Sequence, residues 1–358
     1  MSEFKKLSEM IALTEEALSR TNDRSQPVYQ DEEGWIIKYP GIDKLANDQI
    51  HAFWPWDEPK VENDIADLRS KCTQAEREGI LYYLKMFTHY ERRAGDDFWS
   101  GRFLKVFKRP EFQRMGSMNA AVENNSHAPF YNEINVQLFV NTPEFYSSWK
   151  LDPILKERMS FIGKIVNSKD DLISLAGFTF IEGLALYSAF AYFKHFQVQA
   201  CGKNLITQIC RGISQSVSDE NMHAIGCATA YRIVLQERNL TPEERAALSA
   251  INRQSALAAY EHERHIVSVV FGFGDQGGIT EGNMVSFLKR RTNLCLAQID
   301  EPPLFSEDEI EDDFIESWFY ENINSLSVHD FFTGSGSEYH IEWSRAAFDV
   351  WSNDDEDE

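Results

Sequence analysis

The chain is predicted to be an all-α protein built as a large helical bundle. Three observations predict it. Helix punctuation is frequent while strand signals are weak; Thr73 with Glu76 and Thr241 with Glu244 have the spacing of capping boxes, the second with Pro242 at the first helical position. The run Leu172–Phe193, LISLAGFTFIEGLALYSAFAYF, is apolar on every side, as the central helix of a bundle must be. Amphipathic helical patterns flank it on both sides.

In chain order, a long helix opens after Thr73 and runs through YYLKMFTHYERRAGDDFW; further helical patterns span about 111–140, 150–166, 170–198, 203–237, 242–272 and 281–298. Residues 1–30 read as an N-terminal arm or helix, 31–330 as the bundle, and 331–358 as a mobile acidic tail introduced by Gly334, Ser335, Gly336 and Ser337. The tail keeps Tyr339, Trp343, Phe348 and Trp351, four aromatics that a solubilising tail would not need. It reads as an arm that docks on a partner.

Composition narrows the class. The net charge is −22, of which residues 301 onward carry −17, so the acidity belongs to the C-terminal part and argues against a nucleic-acid partner. The first 30 residues are amphipathic and lack the apolar core of a signal peptide, which points to the cytoplasm. Five scattered cysteines with no C-x-x-C pair suggest reduced thiols and neither a disulfide framework nor a zinc site.

Residues 172–193 are long enough to cross a bilayer. The segment stands alone among soluble-looking helices, however, and carries Glu182 near its middle. A carboxylate there must be neutralised or be met by a cation, donors or a metal. Elsewhere the chain offers partners of one type: Glu91 on the helix after Thr73, Glu123 and His127 in AVENNSHAPFY, and Glu220 and His223 in SVSDENMH. One Glu-x-x-His is more often a solvated helix face than a ligand pair, since residues three and four apart share a face in any helix. Four bundle-length segments supplying Glu, Glu with His, Glu, and Glu with His in that order make the ferritin-like dinuclear metal pattern. The similar-looking Glu261, His262 and His265 in YEHERH lie among further charges and read as a solvated face. Tyr131, one turn beyond His127, is expected to point into the bundle near the metals.

With Glu91, AVENNSHAPFY, FIEGLALYSAF and DENMH in this order, the chain resembles the small, radical-generating subunit of class I ribonucleotide reductase, from about FWPW at 53 to the tail. The resemblance implies a ferritin-like homodimer holding a dinuclear centre of two irons, with a manganese–iron or dimanganese centre as alternatives. Reaction with oxygen or superoxide then yields a tyrosyl radical, by the family's pattern on Tyr131, with Leu186 and Phe190 in its apolar shell. It further implies a relay from His127 through Asp219 to Trp54 and on to Tyr339. The tail docks on the catalytic large subunit, which reduces ribonucleotides, and a flavoprotein activase is a further possible partner. Two positions depart from the family's pattern. Its first Glu-x-x-His would place the Glu at Asn124, and one added residue, a π-bulge, is expected to return Glu123 to the metal face. Glu91 stands where many members have Asp, which leaves the metal's identity open. Two other readings share the ligand pattern: a ferritin-like oxidase or monooxygenase acting on a small substrate, and a non-enzymatic metal-binding protein. The first leaves Trp54, Asp219, Tyr339 and the aromatic acidic tail without a purpose, and storage would predict a shorter chain, many ions bound per protein and no stable radical.

Overall fold

The computed structural model describes residues 3–31 and 34–320, with side chains from residue 6 onward. The described residues are helical throughout, with no strand. Capping chemistry sets where the helices start. Thr73 Oγ1 accepts from the Glu76 amide at 3.2 Å while Glu76 Oε2 accepts from the Thr73 amide at 2.7 Å, which opens α3 (Gln74–Arg93). The same exchange between Thr241 and Glu244 opens α10 (Pro242–Gly272), and one between Thr280 and Asn283 opens α11 (Glu281–Gln298).

Before these come α1 (Glu3–Leu18) and α2 (Pro40–Ala52). The bundle continues with α4 (Pro110–Val122), α5 (Ala128–Gln137) and α6 (Pro153–Val166). Then come α7 (Asp171–Leu184), α8 (Tyr187–Lys194) and α9 (Thr207–Glu237). Helix α7 packs along α9 and also touches α10 and α11, so it is enclosed on every side. The stretch Asp171–Gln197, α7 together with the segment after it, is long and apolar enough for a membrane span, but its apolar window is entirely buried within the protein. Segment 3–31 is tied down as well: α1 lies on α10, Arg20 pairs with Glu244 at 2.6 Å, and Arg24 pairs with Asp171 at 2.9 Å.

The pattern at 170–198 predicts one continuous helix, and the structure breaks it at Ala185–Leu186, between α7 and α8. A break inside an apolar core frees carbonyls that water cannot reach, and these must find donors. Arg291 donates to the Gly183 carbonyl at 2.7 and 3.1 Å and Arg158 donates to the Ala185 carbonyl, while the Tyr90 hydroxyl adds a bond of 2.9 Å to the Ile181 carbonyl, which already accepts from the Ala185 amide. All three donors come from other helices, which is why the α7 pattern alone did not reveal the break.

The face expected to be solvated at YEHERH is half buried. His262 and Glu263 turn into the core, where Glu263 accepts from Ser188 Oγ at 2.5 Å and pairs with Arg158; Glu261 and Arg264 pair at 2.7 Å and His265 is exposed. Among the described residues no metal-capable cluster forms there.

Candidate metal centre

Two helices change pitch at the centre. Helix α3 continues as a π-helix over Ala94–Phe103, and α4 passes into α5 through a π-helix over Glu123–His127. A π-turn inserts a residue into the ladder and rotates the residues beyond it about the helix axis. Glu123 thereby faces the bundle axis, fully buried, whereas Asn124 turns to the side and its amide donates to Asp96 Oδ1 and the Ala120 carbonyl, each at 3.1 Å. The two π segments lie against each other at Gly95: a Cβ there would stand 2.6 Å from Asn124 Nδ2 and 3.0 Å from Glu123 Cβ, so only glycine permits the approach.

Glu91, Glu123, His127, Glu182, Glu220 and His223 all have no exposed surface. They form two overlapping groups. In one, ligand atoms of Glu91, Glu123, His127 and Glu220 lie within 4.8 Å of one another; in the other, those of Glu123, Glu182, Glu220 and His223 do. Glu123 and Glu220 belong to both groups, as two carboxylates bridging a pair of ions would. Both imidazoles present Nδ1 to the centre. His127 Nδ1 lies 3.1 Å from Glu123 and 3.2 Å from Glu220, and His223 Nδ1 lies 3.0 Å from Glu123 and 3.5 Å from Glu220.

The donor set fits a divalent metal pair. Both oxygens of Glu91 and of Glu220, Glu182 Oε2, Glu123 Oε1 and both His223 nitrogens are buried without a properly directed hydrogen bond among the described residues. So many orphaned acceptors in one place would be costly unless cations are meant to take them up. Carboxylate oxygens with two imidazoles suit Mn or Fe. The electrostatics carry the same strain. Burial first, then Glu123 and Glu220, drives the Glu91 carboxyl well above the usual range; burial, then Glu220, does so for Glu182. Burial opposes the charge on Glu220, yet the close approach of Glu182, His127 and His223 holds it below the usual range. Burial disfavours the His223 imidazolium, but Glu123 and Glu220 outweigh it and raise the group to about 9.

Outside the cluster, Asp219 collects three donors. Its Oδ2 meets His127 Nε2 at 3.0 Å and Trp54 Nε1 at 2.8 Å, and its Oδ1 accepts from Gln49 Nε2 at 2.7 Å. Ser126 Oγ donates to the Trp54 carbonyl at 2.5 Å and holds the loop that carries the indole. Tyr131 is wholly buried, its ring 4.2 Å from Phe87, which in turn lies 6.1 Å from Phe190; Leu186 is buried at the helix break. Burial, then Glu91, pushes its phenol well above the ordinary range. Tyr339 lies outside the described residues.

Sequence reasoning missed Gln49 and Trp99. Trp99 Nε1 donates to Glu182 Oε1 at 3.1 Å, and its ring meets the edge of His223 at 5.6 Å. In an α-helix it would sit about 80° round from Glu91, eight residues earlier. The π-helical stretch that alters this has no periodic signal in the sequence.

The chain is similar to known proteins over most of its length. Residues 35–312 match the family described as ribonucleotide reductase, small chain. The probable ribonucleoside-diphosphate reductase small subunit of Invertebrate iridescent virus 3 is 22% identical over 324 residues, spanning 85% of this chain and 82% of its own. Two solved structures share the fold. The dimanganese(II) NrdF of Streptococcus sanguinis superposes with a TM-score of 0.69 at 17% identity, over 82% of this chain and 100% of that one. The Rnr4 homodimer of Saccharomyces cerevisiae gives 0.70 at 15% identity, over 94% and 99%. A family match over residues 35–312, most of the chain, leads to one conclusion: the chain belongs to the small-chain family of class I ribonucleotide reductases.

Proposed function

We propose that this small subunit forms and stores a radical on Tyr131 and delivers it, through His127, Asp219 and Trp54, to a catalytic large subunit that reduces ribonucleoside diphosphates. The observation that carries the reading is the unbroken contact chain from His127 Nε2 to Asp219 Oδ2 to Trp54 Nε1, at 3.0 and 2.8 Å, starting inside the metal-capable cluster. A storage protein or a simple oxidase has no use for it.

Glu91, Glu123, His127, Glu182, Glu220 and His223 would hold the metals, Glu123 and Glu220 offering oxygens to both ligand groups. A bound pair supplies one-electron oxidising power; the chain's residues do the rest. Trp99 orients Glu182 through its indole N–H, and Asp219 fixes the His127 ring so that Nδ1 faces the cluster. Phe87, Phe130 and the apolar residues of α7 and α8 exclude water from Tyr131, where a phenoxyl would otherwise be quenched. Trp54, packed 5.6 Å from Phe130, is the last described station of the route.

The metals are two irons in this reading, with manganese–iron or dimanganese as alternatives. The subunit works as a cytoplasmic homodimer. Residues 1–30 act as an arm, 31–330 as the bundle, and 331–358 as the acidic tail that docks on the large subunit and brings Tyr339 to the interface. A flavoprotein activase would serve a manganese form.

The test is reconstitution with Fe(II), with Mn(II) and with both, followed by oxygen, reading metal content and low-temperature EPR. Two metals per chain and a tyrosyl signal absent from Tyr131→Phe is the expected result. Two metals with no radical under any regime, including with an activase, would refute radical storage on Tyr131.

A further inference from the structure

We propose that Ser216 is the hydrogen-bond partner of the Tyr131 phenol, a positioning residue that makes the side chain's oxidised form a hydrogen-bonded radical rather than an isolated one. The inference rests on the reading of Tyr131 as the radical site.

Helix register brings the two residues together. Gly212, Ser216 and Glu220 recur every fourth residue on α9 and therefore share one face. Glu220 on that face meets His127 at 3.2 Å, and two turns earlier the Phe130 ring fills the space that a side chain at Gly212 would need. Contacts that move forward along α5 thus move backward along α9, so the two run antiparallel. Ser216 lies midway between those contacts and faces the start of α5, which carries Tyr131 one turn beyond His127.

Both hydroxyls are then without another use. Tyr131 Oη and Ser216 Oγ are buried, with no exposed surface on either residue, and neither has a hydrogen-bond partner among the described residues. Buried serines and threonines in helices often bond back to the carbonyl four residues earlier. Ser214 does so to Cys210 at 3.0 Å and Thr292 to Leu288 at 2.8 Å, but Ser216 does not. Leaving two buried hydroxyls unmet costs more than a rotation that joins them. Phe87 at 4.2 Å and Phe130 at 5.1 Å pack against the ring, and Glu91 and His127 are the ionisable groups that act most strongly on the phenol. Burial and Glu91 raise the pKa of the phenol, whereas His127 and Ser216 act in the opposite direction.

In the reduced protein the phenol and the serine hydroxyl form one O–H···O bond. In the phenoxyl, Ser216 O–H donates to the phenolic oxygen, which keeps that oxygen in place and spreads its negative partial charge.

The test uses the full-length protein, wild type, Ser216→Ala and Ser216→Thr, reconstituted under whichever metal regime yields the radical and exchanged into deuterated buffer. High-field EPR and deuterium ENDOR should show one strongly coupled exchangeable deuteron in the wild type, its loss with an upward shift of the largest g value in Ser216→Ala, and its recovery in Ser216→Thr. A radical with no exchangeable coupling, or one whose coupling survives in Ser216→Ala, would overturn the inference while leaving Tyr131 as the radical site. Failure to form any radical would instead count against the radical reading. The hydrogen bond is then judged from the ultraviolet Raman doublet of Tyr131, isolated by subtracting the matching Tyr131→Phe spectra. A doublet that changes in Ser216→Ala supports the pair, and one that does not change overturns it.

Discussion

The indole of Trp54 and the carboxylate of Asp219 share a hydrogen bond of 2.8 Å, and the same oxygen of Asp219 meets His127 at 3.0 Å. One carboxylate oxygen therefore joins the cluster to an aromatic residue 165 positions away in sequence from Asp219. Asp219→Asn keeps the size of the side chain but removes its charge and replaces one oxygen by an N–H donor, so it cannot accept from His127 and Trp54 on one atom and from Gln49 on the other. Metal content and the Tyr131 signal should stay near wild type, while ribonucleotide reduction with the large subunit falls on the order of 10²-fold, the scale of misplacing one member of a reacting array. Parallel EPR and turnover assays check this; a loss of radical in step with activity would move Asp219 from relay to metal support.

Glu123 and Asn124 separate two ways of building the centre. Because the π-helix turns Glu123 into both ligand groups and Asn124 toward Asp96, Glu123→Gln should cut bound metal to one ion or fewer per chain, whereas Asn124→Ala should leave it unchanged. Metal analysis after Mn(II) loading distinguishes them. Equal losses in the two variants would contradict the orientation.

Trp99→Phe removes the indole donor to Glu182 but preserves an aromatic ring in the core. Groups that orient a metal ligand are typically worth 10–100-fold in affinity, and a weakening of about that size is expected in an Mn(II) titration. Thermal stability of the metal-free protein should move far less than on truncation to alanine.

His195 makes the fold sensitive to acid. Burial first, then the ammonium of Lys203, which lies 3.0 Å from Nε2, lowers the ring to about 3. The ordinary value is about 6.5, so between pH 6.5 and 3 the unfolded chain takes up a proton that the folded chain refuses. Stability therefore falls as pH falls through that window, by about 1.4 kcal/mol per pH unit, and this contribution is flat above pH 6.5. From pH 7 to pH 5 the wild type should lose about 2 kcal/mol more than His195→Gln in urea unfolding. Identical losses would place the acid sensitivity elsewhere.

Arg291 donates twice to the Gly183 carbonyl at the break between α7 and α8, and lies 3.7 Å from the Tyr187 ring. Arg291→Met fills similar space without a donor. A buried carbonyl left unmet costs about 1–3 kcal/mol, which denaturant unfolding should report, with a matching drop in retained metal because Glu182 sits on the turn that loosens.

Much of the molecule could be read from the linear chain because the relevant signals are local. The threonine caps are three-residue patterns, and the apolar run around Glu182 announces a buried helix whose charge needs a partner. Glu220 and His223 share a face by helical spacing alone. What escaped involves partners far apart in sequence or irregular turns. Trp99 reaches Glu182 only because ten residues wind as a π-helix, and His262 and Glu263 are buried because Arg158 and Ser188 come from other helices to meet Glu263.

By itself the sequence determined the helices, the apolar core and the stock of carboxylates and imidazoles, since periodicity and capping act within a turn or two of the chain. Only the tertiary structure decided that Glu123 rather than Asn124 enters the centre, that α7 breaks before Tyr187, and that Trp99 reaches Glu182. Those outcomes depend on which helices approach closely enough to exclude water. Only there must every freed carbonyl, carboxylate and hydroxyl find its partner across space.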